Sequence, residues 1–214
     1  MPLRGIIFDL DGTLADTLPV CIDAFQETVQ QFTGRRPEPG EIIALFGPNE
    51  EGMLETLIPG RLGETLPRFV AEYERAHDQC RQLFPGIERA LDLLKGGGIR
   101  MAIVSGKGSQ SAEISLRHLG LGRWIDCVET GFAEKADKPT SIRKVLGRWH
   151  MPPEQAAYVG DVPSDMQSAR QAGVLPVGAA WAGTSTLRST PAEEPGPIFY
   201  DIESFIRWIQ AIHE

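Results

Sequence analysis

Four short stretches of this chain place acids, a hydroxyl or a lysine directly after an apolar run or at a helix start. The first is Asp9-Leu10-Asp11-Gly12-Thr13, which follows Gly5-Ile6-Ile7-Phe8. Alternation along an extended backbone sends residues two apart to the same face, so Asp9 and Asp11 can point toward one site. Two clustered carboxylates repel each other unless a cation or a proton intervenes. The pair therefore predicts a hard metal ion, a shared proton, or both. Gly12 lets the chain turn tightly with its backbone close to a ligand. A single Asp in such a place is often only a turn residue or a helix N-cap, so the rest of the chain decides.

Val104-Ser105-Gly106-Lys107 puts a hydroxyl after a second apolar run. A Ser hydroxyl with adjacent backbone N–H groups, including that of Gly106, suits phosphate oxygens, although Ser-Gly alone is a common turn. Lys138-Pro139 precedes a helical pattern whose first turn holds Thr140 and Ser141. A lysine there reaches a phosphate as a point charge; by itself it is a solvated lysine. Val159-Gly160-Asp161-Val162-Pro163-Ser164-Asp165 then sets two more acids at the end of an apolar run. Asp165 alone reads as a cap. Two acids beside a glycine suit Mg²⁺, which takes oxygen ligands and keeps several waters.

The elements that must position these groups follow from periodicity. Gly5 to Phe8 reads as a buried strand. Leu18, Ile22, Phe25, Val29 and Phe32 recur at helical spacing, with Asp16 or Thr17 able to cap. The pattern stays helical to about Phe84, broken at Gly34, Pro37 to Gly40, Gly47-Pro48, Pro59-Gly60 and Pro67. After Pro85-Gly86 a helix carries Ile87, Ala90, Leu91, Leu93 and Leu94 and ends at Gly96-Gly97-Gly98. Then strands and helices alternate: strand Met101 to Val104, helix Ser109 to Leu119, strand Cys127 to Glu129, helix Ser141 to Trp149. Strand Ala157 to Val159, helix Ser164 to Ala172 and strand Leu175 to Gly178 follow. Residues Ala182 to Pro197 read as loop, and helix Ser204 to His213 closes the chain. Such alternation predicts an α/β fold with a parallel sheet covered by helices on both faces. The helical stretch reads as a small domain inserted early, giving a core of residues 1–15 and 86–214 and an insert of residues 16–85.

The chain has 214 residues, 42% of them hydrophobic, and a formal net charge of -8. That acidic balance argues against general binding of nucleic acid or of an anionic membrane surface. No apolar segment approaches the ~20 residues of a membrane span, and no signal peptide is evident. Cys21, Cys80 and Cys127 form neither a ligand cluster nor a disulfide framework. A cytoplasmic protein is expected. Residues 16–85 carry twelve acids, six arginines and no lysine.

Acid-acid, hydroxyl, lysine, acid-acid: this order closely resembles the haloacid dehalogenase superfamily, over nearly the whole chain. Asp9-Leu10-Asp11-Gly12-Thr13 resembles its first motif, Ser105 its second, Lys138 with Pro139 its third, and Gly160-Asp161 through Asp165 its fourth. Lys135 competes for the third place, but Pro139 and the helix start favour Lys138. An insert just after the first motif resembles the subfamily with a helical-bundle cap, which includes phosphoglycolate phosphatase-like and pyrophosphatase-like enzymes. The resemblance implies a Rossmann-like core with the cap hinged over it.

It also implies roles. Asp9 is then the nucleophile that attacks phosphorus and forms an aspartyl-phosphate. Asp11 protonates the leaving oxygen and later takes a proton from water. Mg²⁺ sits with Asp9, the Asp11 backbone carbonyl, Asp161 and Asp165, while Ser105, Gly106 and Lys138 hold the phosphate. Lys107 resembles a supporting lysine of some phosphatases, or is solvated. The acid at position 11 points away from carbon-attacking dehalogenases, and the lysine-free cap away from Schiff-base chemistry. Remaining alternatives are a phosphosugar mutase of the β-phosphoglucomutase type, an inorganic pyrophosphatase-like enzyme, and a non-catalytic binding module. For a mutase, Arg35 and Arg36 are the best cations to hold a second phosphate. The stretch Leu45 to Gly52 resembles the substrate-specificity loop of the cap, with Gly47 giving freedom and Asn49, Glu50 or Glu51 reading polar groups; otherwise it is a loop with solvated acids. Trp181, followed by Gly183, lines the site's edge or simply packs there. The expected partner is a small phosphorylated substrate, and the protein a monomer or homodimer.

Overall fold

The computed structural model describes residues 2–189 and 196–212. Strand β1 (Gly5–Phe8) is followed by helices α1 (Leu18–Thr33), α2 (Pro39–Ile43), α3 (Glu50–Leu57) and α4 (Leu62–His77). Next come α5 (Ile87–Gly96), β2 (Arg100–Val104), α6 (Ser109–His118), β3 (Cys127–Glu129) and α7 (Lys138–Trp149). The chain ends with β4 (Ala156–Gly160), α8 (Pro163–Ala172), β5 (Leu175–Ala179), β6 (Ile198–Phe199) and α9 (Ile202–Ala211).

The strands form one sheet in the order β3-β2-β1-β4-β5-β6, and every pairing is parallel. This is the Rossmann strand order, and the chain reverses direction across the sheet between β1 and β4, where such sheets bind ligands beyond the strands' carboxyl ends. β1 therefore lies centrally because both of its neighbours are needed to build that crevice. Its residues are buried on both faces, which is why it reads as an uninterrupted apolar run rather than an alternation. Ile6, Phe8, Met101, Ile103 and Val159 pack with Leu91, Leu94, Phe205 and Ile209 from α5 and α9. Ile7, Ala102, Val104 and Tyr158 pack on the other face with Ile142, Val145, Ala169 and Ala172 from α7 and α8. Two-sided coverage is what a parallel sheet requires, since each crossover lays a helix on one face.

Helices α1 to α4 gather a separate apolar cluster: Val20, Ala24, Phe25, Ile42, Met53, Leu54, Phe69, Tyr73 and Ala76, joined by Ile114 from α6. The Phe25 and Phe69 rings lie 4.5 Å apart. Gly34 closes α1 with φ of 74° and donates its N–H to the Gln30 carbonyl, a left-handed cap that glycine adopts without penalty. No helix among the described residues is long and apolar enough to cross a membrane.

Several boundaries differ from the sequence expectation. Pro67 lies inside α4 instead of breaking it. Proline inside a helix costs about 3 kcal/mol; burial of Phe69, Tyr73 and Ala76 on the same helix outweighs that, at roughly 1.5–3 kcal/mol for each large side chain. Residues 50–52 are the first turn of α3, not loop, because the Asn49 side chain caps that helix by accepting from the N–H groups of Glu51 and Gly52. Helix α7 begins at Lys138, three residues before Ser141, since Asp137 is its N-cap and accepts from the Thr140 N–H. Strand β6 follows directly on the expected loop, where the sequence reading named no element; two residues paired to Gly178 and Ala179 carry no periodicity. Helix α9 starts at Ile202, capped by Asp201. The expected His213 end and residues 190–195 of the expected loop lie outside the described residues.

Candidate active site

The carboxyl ends of β1, β2 and β4 lie side by side in the sheet and, with the start of α7, carry the motif residues. Asp9 follows β1, and its N–H donates to the Val159 carbonyl at 2.8 Å, so the nucleophile candidate is fixed to the neighbouring strand β4. Asp161 follows β4, and Asp165 stands in the first turn of α8. Oxygens of Asp9, Asp161 and Asp165 lie within 4.8 Å of one another, all three side chains buried. Asp165 Oδ2 accepts from the backbone N–H groups of Asp161 at 3.1 Å and Val162 at 3.2 Å. This carboxylate thus caps the start of α8 and also faces the acid cluster.

Lys138 is the counter-charge. Its ammonium is 2.6 Å from Asp165 Oδ1 and 3.2 Å from Asp9 Oδ1. Burial by itself would drive its proton off, but the attraction of Asp165 and Asp9 prevails and keeps it well above the usual lysine range. The helix cap by Asp137 sets this lysine at the first position of α7, while Lys135 is exposed.

Even so, the acids are under-neutralised. Burial pushes the Asp9 carboxyl up to about 7; Lys138 pulls it down, and Asp165 and Asp11 push it further up. Asp161 is pushed up to about 8, first by burial, then by Asp9 and Asp165. Asp9 Oδ1 accepts no hydrogen bond from the protein although Lys138 stands near it. A buried carboxylate oxygen without a donor is costly unless something else meets it. Three hard oxygen donors with one orphaned lone-pair face fit a divalent cation such as Mg²⁺. Backbone shape agrees: Gly12 has φ of 71°, and a Cβ there would stand 2.3 Å from Asp161 Oδ2. A Cβ on Gly160 would stand 2.4 Å from Asp165 Oδ2. Only glycine lets the two acid-bearing loops close on each other.

Asp11 is held apart from the three converging acids. Its carboxylate accepts a hydrogen bond from Thr17 Oγ1 and lies 2.9 Å from the Lys107 ammonium. Thr17 is the residue before α1 but makes no side-chain cap, because its hydroxyl is taken by Asp11. Asp16 is exposed and makes no cap bond either. Lys107 is not a solvated lysine: its side chain is 3% exposed, and its ammonium lies 4.8 Å from the centre of the Tyr73 ring. Burial opposes its charge, yet attraction to Asp11 holds it well above the ordinary lysine range.

Ser105 is buried, and its hydroxyl accepts from the Lys107 N–H at 3.3 Å. This folds the Ser105–Gly108 stretch into a tight turn at the carboxyl end of β2. The insert contributes Asn49 and Glu50, both buried, and Glu51, half-buried. Glu50 is not a solvated acid; it accepts hydrogen bonds from the Gly108 N–H and Ser111 Oγ at the start of α6. Gly47, with φ of 153° and open space around it, makes the turn before α3. Arg35 and Arg36 are engaged at the surface, Arg35 with Glu41 and Arg36 with Asp23 and Glu27.

Three residues support the site; Ser185 and Tyr158 escaped the sequence reading, and Trp181 was expected only at the site's edge. Trp181 donates its indole N–H to the Thr13 carbonyl at 3.0 Å and packs on Phe205, bracing the first acid loop. Ser185 Oγ donates to the Asp161 carbonyl at 2.6 Å, and the Tyr158 hydroxyl donates to the Val104 carbonyl at 3.0 Å. Their partners lie far away in sequence, and only Trp181 carried a signal, as a tryptophan just after a strand.

The comparisons with known proteins agree with this geometry. Residues 6–179 match the profile described as haloacid dehalogenase-like hydrolase. The chain therefore belongs to that family and is an enzyme of the hydrolase class. Across its full length it is 30% identical to a protein of Caldanaerobacter subterraneus subsp. tengcongensis provisionally named pyrophosphatase PpaX, 98% of which is covered. It is 29% identical to the phosphoglycolate phosphatase of Aquifex aeolicus, over 84% of this chain and 85% of that one. The haloacid dehalogenase-like family hydrolase SP0104 of Streptococcus pneumoniae shares the fold, with a TM-score of 0.75 at 24% identity over 97% of this chain and 99% of that one.

Proposed function

We propose that this chain is a Mg²⁺-dependent phosphatase that hydrolyses a small phosphorylated metabolite through an aspartyl-phosphate on Asp9. The observation that carries the proposal is the juxtaposition of two unlike acid sites on one loop. Asp9 sits in a buried acid cluster with a lysine across it, whereas Asp11, two residues on, is tied to Thr17 and Lys107. Paired carboxyls with different surroundings suit different roles: Asp9 faces the cation site and is ionised as the nucleophile once a cation offsets the charge of the cluster, which leaves Asp11, outside that cluster, to exchange a proton with the leaving oxygen and with water.

Asp9, Asp161 and Asp165 would hold the metal ion, with the Asp11 carbonyl beside them. Bound there, Mg²⁺ supplies the positive charge that lets an anionic nucleophile meet an anionic phosphoryl group. The remaining work falls to the chain's own residues. Lys138 and the Ser105–Gly106 turn bind the phosphoryl oxygens and steady the charge that spreads over them at the transition state. Asp9 Oδ attacks phosphorus, and the bond to the leaving oxygen breaks as Asp11 hands that oxygen its proton. Asp11 then takes a proton from water, which attacks the phosphorylated Asp9 and releases phosphate. The helical insert, as a cap over the crevice, would exclude bulk water and choose the leaving group.

Pyrophosphate is the second substrate to test, favoured by the full-length similarity to the pyrophosphatase-named relative. For the mutase alternative, the arginines that would hold a second phosphate, Arg35 and Arg36, stand at the surface paired with carboxylates. The test is phosphate release from a panel of phosphorylated metabolites and pyrophosphate, with and without Mg²⁺. Mg²⁺-dependent release from at least one small phosphoester, silenced by EDTA, is expected. Activity in metal-free protein, or none on any phosphate compound, would refute the proposal.

A further inference from the structure

We propose that Glu50 is a positioning residue that clasps the helical insert to the phosphate-binding turn Ser105–Gly108 and holds that turn in its working geometry. The inference rests on the hydrolase reading of that turn. Glu50 stands in the first turn of α3 and is 5% exposed. Its Oε2 accepts from the Gly108 N–H and its Oε1 from Ser111 Oγ. Helix α6 has Gly108 as its N-cap and no side-chain cap of its own. A carboxylate from the insert therefore supplies the missing acceptor and complements the positive end of the helix.

The neighbouring bonds form one layer with it. The Asn49 N–H donates to the Phe132 carbonyl at 2.9 Å, and its side-chain amide to the Gly131 carbonyl at 3.4 Å. The Gly131 N–H donates in turn to the Lys107 carbonyl at 2.7 Å. Insert, residues 130–133 and phosphate turn are thus hydrogen-bonded in sequence. The contact is close: a Cβ on Gly52 would stand 2.0 Å from the Ala133 carbonyl oxygen. A buried carboxylate stripped of water is stable only while its donors stay in place. Moving the insert away would undo both Glu50 bonds together, so Glu50 biases the enzyme toward the docked arrangement.

The test compares Glu50→Ala, Glu50→Gln and Ser111→Ala with wild type by amide hydrogen exchange without substrate, and by steady-state kinetics on the best phosphoester. In Glu50→Ala, exchange at residues 106–111 is expected to quicken by about tenfold or more. KM is expected to rise about tenfold with kcat changing less than about threefold, because a smaller fraction of enzyme is poised to bind. Glu50→Gln keeps an acceptor and recovers part of both effects; Ser111→Ala moves both in the same direction by less. Unchanged exchange and KM in Glu50→Ala, or a lowered melting temperature with neither, would overturn the clasp. If Glu50→Ala fails to fold, faster exchange at 106–111 in the two milder variants supports it and unchanged exchange overturns it. Exchange needs no substrate, so an inert wild type would sink the hydrolase proposal and leave the clasp result standing.

Discussion

At the scale of single residues, the site is a problem of excess negative charge. Asp9, Asp161 and Asp165 share one small buried volume with one ammonium, from Lys138. Asp9→Asn keeps the shape and removes the proposed nucleophile. Turnover should fall at least about a thousandfold with the melting temperature unchanged or raised; near-normal phosphate release would remove Asp9 from its role. Lys138→Met should cost about 3–4 kcal/mol of barrier, roughly a hundredfold or more in kcat. Gly12→Ala faces both a left-handed backbone and the Asp161 carboxylate. It should lose about 1–3 kcal/mol of stability in denaturant unfolding. The motif residues were legible in sequence because each follows an apolar run or opens a helix, where chemistry of this kind is placed. The bonds from Thr17, Trp181 and Ser185 to Asp11, Thr13 and Asp161 were not, because they span 6, 168 and 24 positions. Such contacts arise from folded loops, and no local spacing encodes them. Glu50 misled for a similar reason: an acid at a loop end reads as solvated until its donors on α6 are known.

At the scale of elements, strand and helix ends do the positioning. Strands β1 to β5 were legible from short apolar runs, three-residue β3 included, and the long helices from their spacing. Two-residue β6 and the early start of α7 were not, since the first has no period and the second depends on the Asp137 cap. That cap has a functional consequence. Asp137→Ala removes the acceptor for the Thr140 N–H and should cost about 1 kcal/mol of stability. Because Lys138 is the next residue, kcat should fall with it, while a cap-retaining Asp137→Asn stays near wild type. Equal kcat in all three would show that the start of α7 does not set the lysine. Pro67 shows the opposite lesson: a strong local breaker yields when the helix around it buries an aromatic face.

For the whole molecule, the fold sets its pH response. Asp9 and Asp161 titrate near 7 and 8 in the metal-free folded protein, against about 4 for an unfolded aspartate. Between these values the folded state binds more protons than the unfolded one, so metal-free stability falls as pH rises from about 4 to about 8. A cation that binds only the folded site offsets this, and competes with protons at lower pH. Adding Mg²⁺ at ten times its Kd should raise the melting temperature by roughly 3 °C at about pH 8 and by less at about pH 6. An equal or larger rise at the lower pH would contradict the acid cluster as the metal site. The insert adds a second level of organisation: its own apolar cluster, from Val20 to Ala76, reaches the core through Ile114. Helix α6 therefore touches both packing units, through Ile114 on the insert side and Leu116 on the core side.

The central claim is that Asp9 carries the phosphoryl group between substrate and water. Rapid acid quench during turnover of an accepted phosphoester with Mg²⁺, followed by peptide mass spectrometry, tests it directly. A phosphate-sized mass increment on Asp9, absent from Asp9→Asn and from EDTA-treated enzyme, is the predicted result. Turnover with no such increment, or with the increment on another residue, would contradict it.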